Sequence, residues 1–229
     1  MNVYLINEST VISDADAANI AGALDAQAQH DFGTSGWRPD VCCAFLAGGA
    51  NAVIPAGGFL LHLLDTSDQS GALGYHDEDG NEVCYAKIFA KTAQEAGDAV
   101  SEVASHELLE LAVDPHCNLS ALTGDGSKLY ALEVGDPVQG TGYPIGSLTV
   151  ANFVLPAYFD PNTKSEKLDF RGVLKAPFTL TPGGYASYVD LTNVSKGWQQ
   201  QFGQERSEAP TWAYRHGQRQ IQFPGASSG

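Results

Sequence analysis

The sequence predicts strands interleaved with helices in a layered fold of α/β or α+β class. Short apolar runs bounded by Gly and Pro, two stretches of helical character and one hairpin signal carry that prediction. Val3–Ile6 is the first apolar run and reads as a strand. Ser13 then offers an N-cap before Asp14, Asp16 and an Ala-rich stretch reaching Gln29, with acids where the helix dipole favours them. Val41–Ala47 and Phe59–Leu64 fit buried strands. Tyr75–Ala90 reads as a hairpin, because Asp79-Gly80 is a type I′ turn signal.

A second helix is predicted over Asp98–Val113, capped by Asp98 and stopped by Pro115, which pushes the residue before it out of the α region. Beyond it come a Gly-rich turn at Thr123–Ser127, a strand or short turn at Leu129–Val134, and Leu148–Phe159 broken by Pro156. Composition then shifts toward Pro, Gly and turn residues. This divides the chain into a domain over 1–160 and an extension over 161–229 that packs on it, ending in a loose tail at Gly225–Gly229.

A chain of 229 residues buries roughly 70% or more of its extended surface, so its core needs no disulfide or metal staple. Apolar residues at 43% and charged residues at 17% mark it as globular. Twelve Lys and Arg face 27 Asp and Glu, a net charge of −15 that disfavours nucleic acid and anionic membranes as partners. The acidity is local. Residues 1–160 carry 4 basic and 22 acidic side chains (net −18), and 161–229 carry 8 and 5 (net +3). No secretory signal or membrane-spanning stretch is read, so the expected location is the cytoplasm, or the virion if the chain is phage-encoded. Cys42, Cys43, Cys84 and Cys117 form no CxxC pair and read as small buried hydrophobes in a reducing compartment.

The chemistry is concentrated in Ser105-His106-Glu107-Leu108-Leu109-Glu110-Leu111-Ala112-Val113-Asp114-Pro115-His116. At about 100° per residue, His106, Glu107, Glu110 and Asp114 fall within one polar arc of an otherwise apolar helix. Three carboxylates on one arc repel each other, which a divalent cation would relieve. The bland alternative is a solvated polar face.

This spacing resembles the HExxH signature of zinc metallopeptidases, with Glu110 in place of the second histidine. The resemblance implies His106 and Glu110 as ligands and Glu107 as the general base acting on a metal-polarised water. Two residues compete for the third ligand position. His116 stands where metzincins place theirs, although Val113 replaces their helix-breaking glycine and no methionine turn exists, Met1 being the only methionine. Glu133 stands where gluzincins place theirs, with Asp136 following as the acid that orients a ligating histidine. Asp114 lies about 12 Å from His106 along a straight helix and is assigned a supporting or capping role.

Further segments make the chain similar to a family of uncharacterised bacterial and phage proteins with a zincin-like helix. They are 70–77, Lys87–Thr92, Ala104–Pro115, Glu133–Val138, Asn152–Asp160 and Pro177–Tyr185 with its Pro182-Gly183-Gly184-Tyr185 core. The resemblance implies an α+β fold. Its parts would be a zincin-like mixed sheet, an active-site helix and a Gly/Pro-rich C-terminal segment that is mostly β or irregular. It also implies an edge strand along which a peptide can lie, with His76 facing the cleft as proton donor or oxyanion partner and Tyr185 reaching it to stabilise a tetrahedral intermediate. An ordinary turn role for His76 and core packing for Tyr185 are the competing expectations.

Asp77, Glu78, Asp79 and Glu82 form an acidic knot without EF-hand spacing. No GxSxG elbow, phosphate loop or electropositive cysteine is present, so nucleophilic hydrolase chemistry has no candidate. The expected function is therefore a metal-dependent hydrolase, first of all a zinc metallopeptidase acting on a peptide or protein. Manganese is an alternative ion because the ligand set is rich in carboxylates. Two other classes stay open: a phage or prophage virion protein keeping the scaffold without turnover, and a metal-free module that binds a peptide strand.

Overall fold

The computed structural model describes residues 1–203, Ser70 and Glu82 excepted. Ser70 of the first family-like segment, Glu82 of the acidic knot and the expected tail at Gly225–Gly229 lie outside the described residues. The fold is mixed α+β. In chain order it runs β1 (Asn2–Asn7), α1 (Asp14–Ala26), β2 (Cys42–Leu46), β3 (Phe59–Leu64), β4 (Gly74–Glu78), β5 (Cys84–Phe89), α2 (Ala90–Ala96) and α3 (Val100–Val113). There follow β6 (Ser120–Leu122), β7 (Lys128–Ala131), β8 (Tyr143–Ile145), β9 (Leu148–Val150), β10 (Tyr185–Asp190) and β11 (Trp198–Phe202).

The first sheet has the order β2-β1-β3-β5-β4. Its first four strands are parallel, and β4 closes the edge antiparallel to β5. Along the interior strands buried residues such as Val3, Leu5, Leu61, Leu63, Ala86 and Ile88 alternate with half-buried ones such as Tyr4, His62, Tyr85 and Lys87, so one face is fully covered and the other partly. Ser13 caps α1 as expected, accepting from the Asp16 amide. The helix then widens into a π turn over Gln27–Phe32.

Two local expectations need correction. The hairpin forms, but Asp79-Gly80 does not make a two-residue type I′ turn. Gly80 lacks the positive φ that turn demands, and the Asp79 carboxylate instead holds a longer loop by accepting from the amides of Asn81 and Val83. Asp98 does not cap the second helix. Gly97 takes a left-handed conformation (φ +85°) and the Asp98 amide donates to Ala93, so Asp98 closes α2 while Ala99 starts α3.

α3 is buried on every side except at Glu102. β4 and β5 cover one face, while α1 and β9 cover another. A helix enclosed in this way reads as nearly apolar throughout, which its leucines, alanines and valines satisfy. The second sheet, β11-β10-β7-β6, is antiparallel, and its strand β10 comes from beyond residue 160. A bridge also joins Val154 to Asp169. Residues 161–203 are thus threaded into the structure begun by 120–154. Among the described residues no helix is long and apolar enough to cross a membrane.

A buried polar relay locks α3 to its neighbours. Ser105 Oγ donates to Gln27 Oε1 (2.5 Å) and accepts from the Ala151 amide (3.0 Å), while Gln27 Nε2 donates to the Ala151 carbonyl (2.8 Å). Replacing Ser105 strands both partners in the interior. Ser105→Ala is expected to cost about 1–3 kcal/mol. A lowered urea midpoint at unchanged denaturant slope would show it.

Candidate metal centre

Three segments converge on one buried cluster. α3 contributes His106, Glu107 and Glu110, which are 5%, 0% and 0% exposed. The expected polar stripe is therefore not a solvated face. β4 contributes His76, because alternation along the strand turns Gly74 and His76 inward while Tyr75 and Asp77 point outward. The segment after β7 contributes Glu133 and Asp136. It is pinned by the Val154 amide donating to the Val134 carbonyl (2.8 Å) and by the Gly135 amide donating to Glu110 Oε1 (3.2 Å).

His106 Nε2 lies 2.9 Å from Glu110 Oε1 and 3.1 Å from Asp136 Oδ1. His76 Nδ1 lies 3.7 Å from Glu110 Oε2 and 3.8 Å from Glu107 Oε2, and His76 Nε2 lies 3.8 Å from Glu133 Oε2. Candidate ligating atoms therefore fall into two sets, His106–Glu110–Asp136 and His76–Glu110–Glu133, each within 4.8 Å. Burial pulls the His76 imidazole toward neutrality. The charge of Glu133, with Cys117 and Glu107 close by, outweighs burial and holds it well above the usual histidine range.

Asp136 meets the same His106 nitrogen as Glu110 does, which places it among the candidate ligands and not, as the sequence argument expected, as an acid orienting the ring from its other nitrogen. Glu133 joins the cluster but faces His76 instead of His106. His116 does not join it. After the break at Pro115 it pairs with Glu78 (2.7 Å) and approaches Cys84 Sγ (3.5 Å), in a separate and more exposed group. Asp114 is fully buried, and its carboxylate accepts from the amides of Asn118 and Leu119 (both 2.9 Å), capping the turn that follows α3. Tyr185 opens β10 in the second sheet, buried, with its ring 6.3 Å from that of Phe202.

A cavity of about 280 Å³ lies beside the cluster, with His106, Gly135, Asn152, Asp98 and Glu102 among its walls. Burial raises the carboxyls of Asp98 and Glu102, and in Glu102 the nearby Asp98 adds to the rise. Sequence reasoning missed this acidic wall because it had spent Asp98 as a helix cap. It also missed two close approaches. A Cβ on Gly74 would sit 2.9 Å from Glu107 Cγ and Oε1, and a Cβ on Gly135 would sit 2.6 Å from His106 Nδ1. Glycine at these positions lets β4 and the 133–136 segment press against the helix.

Gly135→Ala is accordingly expected to destabilise the chain by about 1–3 kcal/mol, as overpacking does. Gly80→Ala, with no atom within 4 Å of the new carbon, is its near-neutral control, and thermal unfolding of the two variants would test the contrast. No protein-family model, no curated protein and no solved structure matches the chain.

Proposed function

We propose that this protein is a zincin-like metal-dependent hydrolase that cleaves peptide bonds. One observation carries the reading: two imidazoles and four carboxylates, all buried except the half-buried Glu133, are gathered around the HExxE turn of α3. Ionised carboxylates are kept in such surroundings when they are paired or hold a cation. Even with both imidazoles protonated these six groups would carry two negative charges in excess. The donor set also fits a metal. Nitrogen and carboxylate oxygen suit zinc or manganese, and His76 Nε2 is buried with no hydrogen-bond partner.

His106, Glu110 and Asp136 would hold the ion, with Glu133 and His76 on the other side of Glu110. A divalent cation there supplies Lewis acidity, polarising the scissile carbonyl and acidifying a water. Glu107, beside the cluster on the same helical turn, would take the proton from that water and carry it to the leaving amine. β4 is the edge strand of its sheet and carries His76, which supports an extended peptide pairing along it. The cavity beside His106 has room for a side chain of that peptide. The carboxyls of Asp98 and Glu102 there favour one bearing a positive charge.

Glu107→Gln keeps the shape of the side chain and removes the base. It is expected to retain bound metal while peptide cleavage falls by about 10²–10⁴-fold. His106→Ala is expected to lose the ion held at His106, and cleavage with it. Metal analysis alongside digestion of a mixed peptide library reads both variants. Full metal loading with no cleavage of any peptide would instead mark a scaffold kept without turnover.

A further inference from the structure

The geometry points to a two-cation centre in which Glu110 is the shared ligand: one divalent ion would lie between His106, Glu110 and Asp136, the other between His76, Glu110 and Glu133. This inference rests on the metal-dependent reading above and extends it from one ion to two. The two candidate ligand sets have Glu110 in common, and its oxygens divide between them. Oε1 faces His106 at 2.9 Å and Oε2 faces His76 at 3.7 Å. A carboxylate so placed can bridge ions about 3.5–4 Å apart, the spacing of two-metal hydrolytic sites.

A second, independent observation comes from His76. The residue is 8% exposed and its Nε2 is buried without a hydrogen-bond partner, while aimed at Glu133 Oε2. Metal ligation satisfies such a nitrogen, and Nδ1 remains near carboxylates that can orient the ring. Charge points the same way. Glu107, Glu110, Glu133 and Asp136 together bear four negative charges if ionised, and two divalent cations balance four, where one ion beside a protonated His76 would still leave one uncompensated.

The two positions are not equivalent. In the octahedral geometry of manganese, ligand atoms about 2.1 Å from the ion and at right angles to each other stand about 3.0 Å apart. The His106 set, at 2.9 and 3.1 Å, already has that spacing, whereas the His76 set is more open at 3.7–3.8 Å. The first position should therefore fill at lower metal concentration than the second.

The test uses the full chain stripped with chelator, then titrated separately with zinc and manganese and analysed for bound metal. Two ions per chain are expected, bound in two steps. In the manganese form, electron paramagnetic resonance should show the multiline signal of an exchange-coupled pair, a readout that needs no variant. His76→Gln and Glu133→Gln are expected to reduce the content to one ion and abolish the coupled signal. One ion per chain in the wild type, lost in His106→Ala and indifferent to His76→Gln, would overturn the two-cation centre and leave a single-ion hydrolase standing. No bound ion under metal-replete conditions would remove both.

Discussion

Enclosing charge is the constraint on which this structure turns. α3 is covered on nearly every side, yet one arc of it carries an imidazole and three carboxylates, and the surrounding segments add another imidazole and two more acids. Removing ionised groups from water costs several kcal/mol each unless partners or cations compensate. The surroundings are shaped to supply that compensation at close range. Gly74 lets β4 bring His76 to the helix, Gly135 lets the 133–136 segment close over His106, and Val154 holds that segment from behind. Asp114 is compensated separately, by backbone amides of its own turn.

Much of this architecture is legible in the amino-acid order. Strands β1, β2 and β3 coincide with apolar runs, and the end of α3 follows from Pro115. The HExxE spacing singles out three members of the cluster. What stays hidden depends on partners distant in sequence. Nothing local distinguishes Glu133 from His116 as a neighbour of Glu110, because the choice is made by where the chain travels after Pro115. His76 is a turn histidine by its neighbours and a cluster histidine only by strand alternation. Asp98 matches a helix cap by residue type, but Gly97 captures its backbone for the preceding helix. The second sheet was the least visible, since its strands are short and its central partners lie in different thirds of the chain.

The acidity of the chain also acquires two separate meanings. Four acids of the cluster are interior and answer to local compensation. The remaining excess in residues 1–160 lies largely outside it, where it lowers the electrostatic potential around the molecule and enriches cations near its surface. An interior that needs positive charge and an exterior that attracts it act in the same direction. The mildly basic stretch beyond residue 160 does not cancel this arrangement, since its described cations, Lys164, Lys167, Arg171, Lys175 and Lys196, are exposed and spread over the segments before and after β10.

The position of β10 has a consequence for how the molecule comes to be assembled. β7 leads directly into Glu133 and Asp136, and its inner neighbour β10 is made only after a long intervening stretch. Thr181, just before β10, donates its amide to the Pro137 carbonyl and so steadies the turn that begins at Asp136. Pairings of such sequence separation are slow to form because loop-closure entropy must be overcome first. The first sheet closes over comparable separations, Val3 opposite Phe59 against Tyr130 opposite Tyr188. All its strands precede α3, however, so a chain growing from its N-terminus can pair them while the acidic cluster is still open on one side. Order of synthesis becomes order of function: the last third of the chain is the door, and the interior it shuts is already built when it arrives.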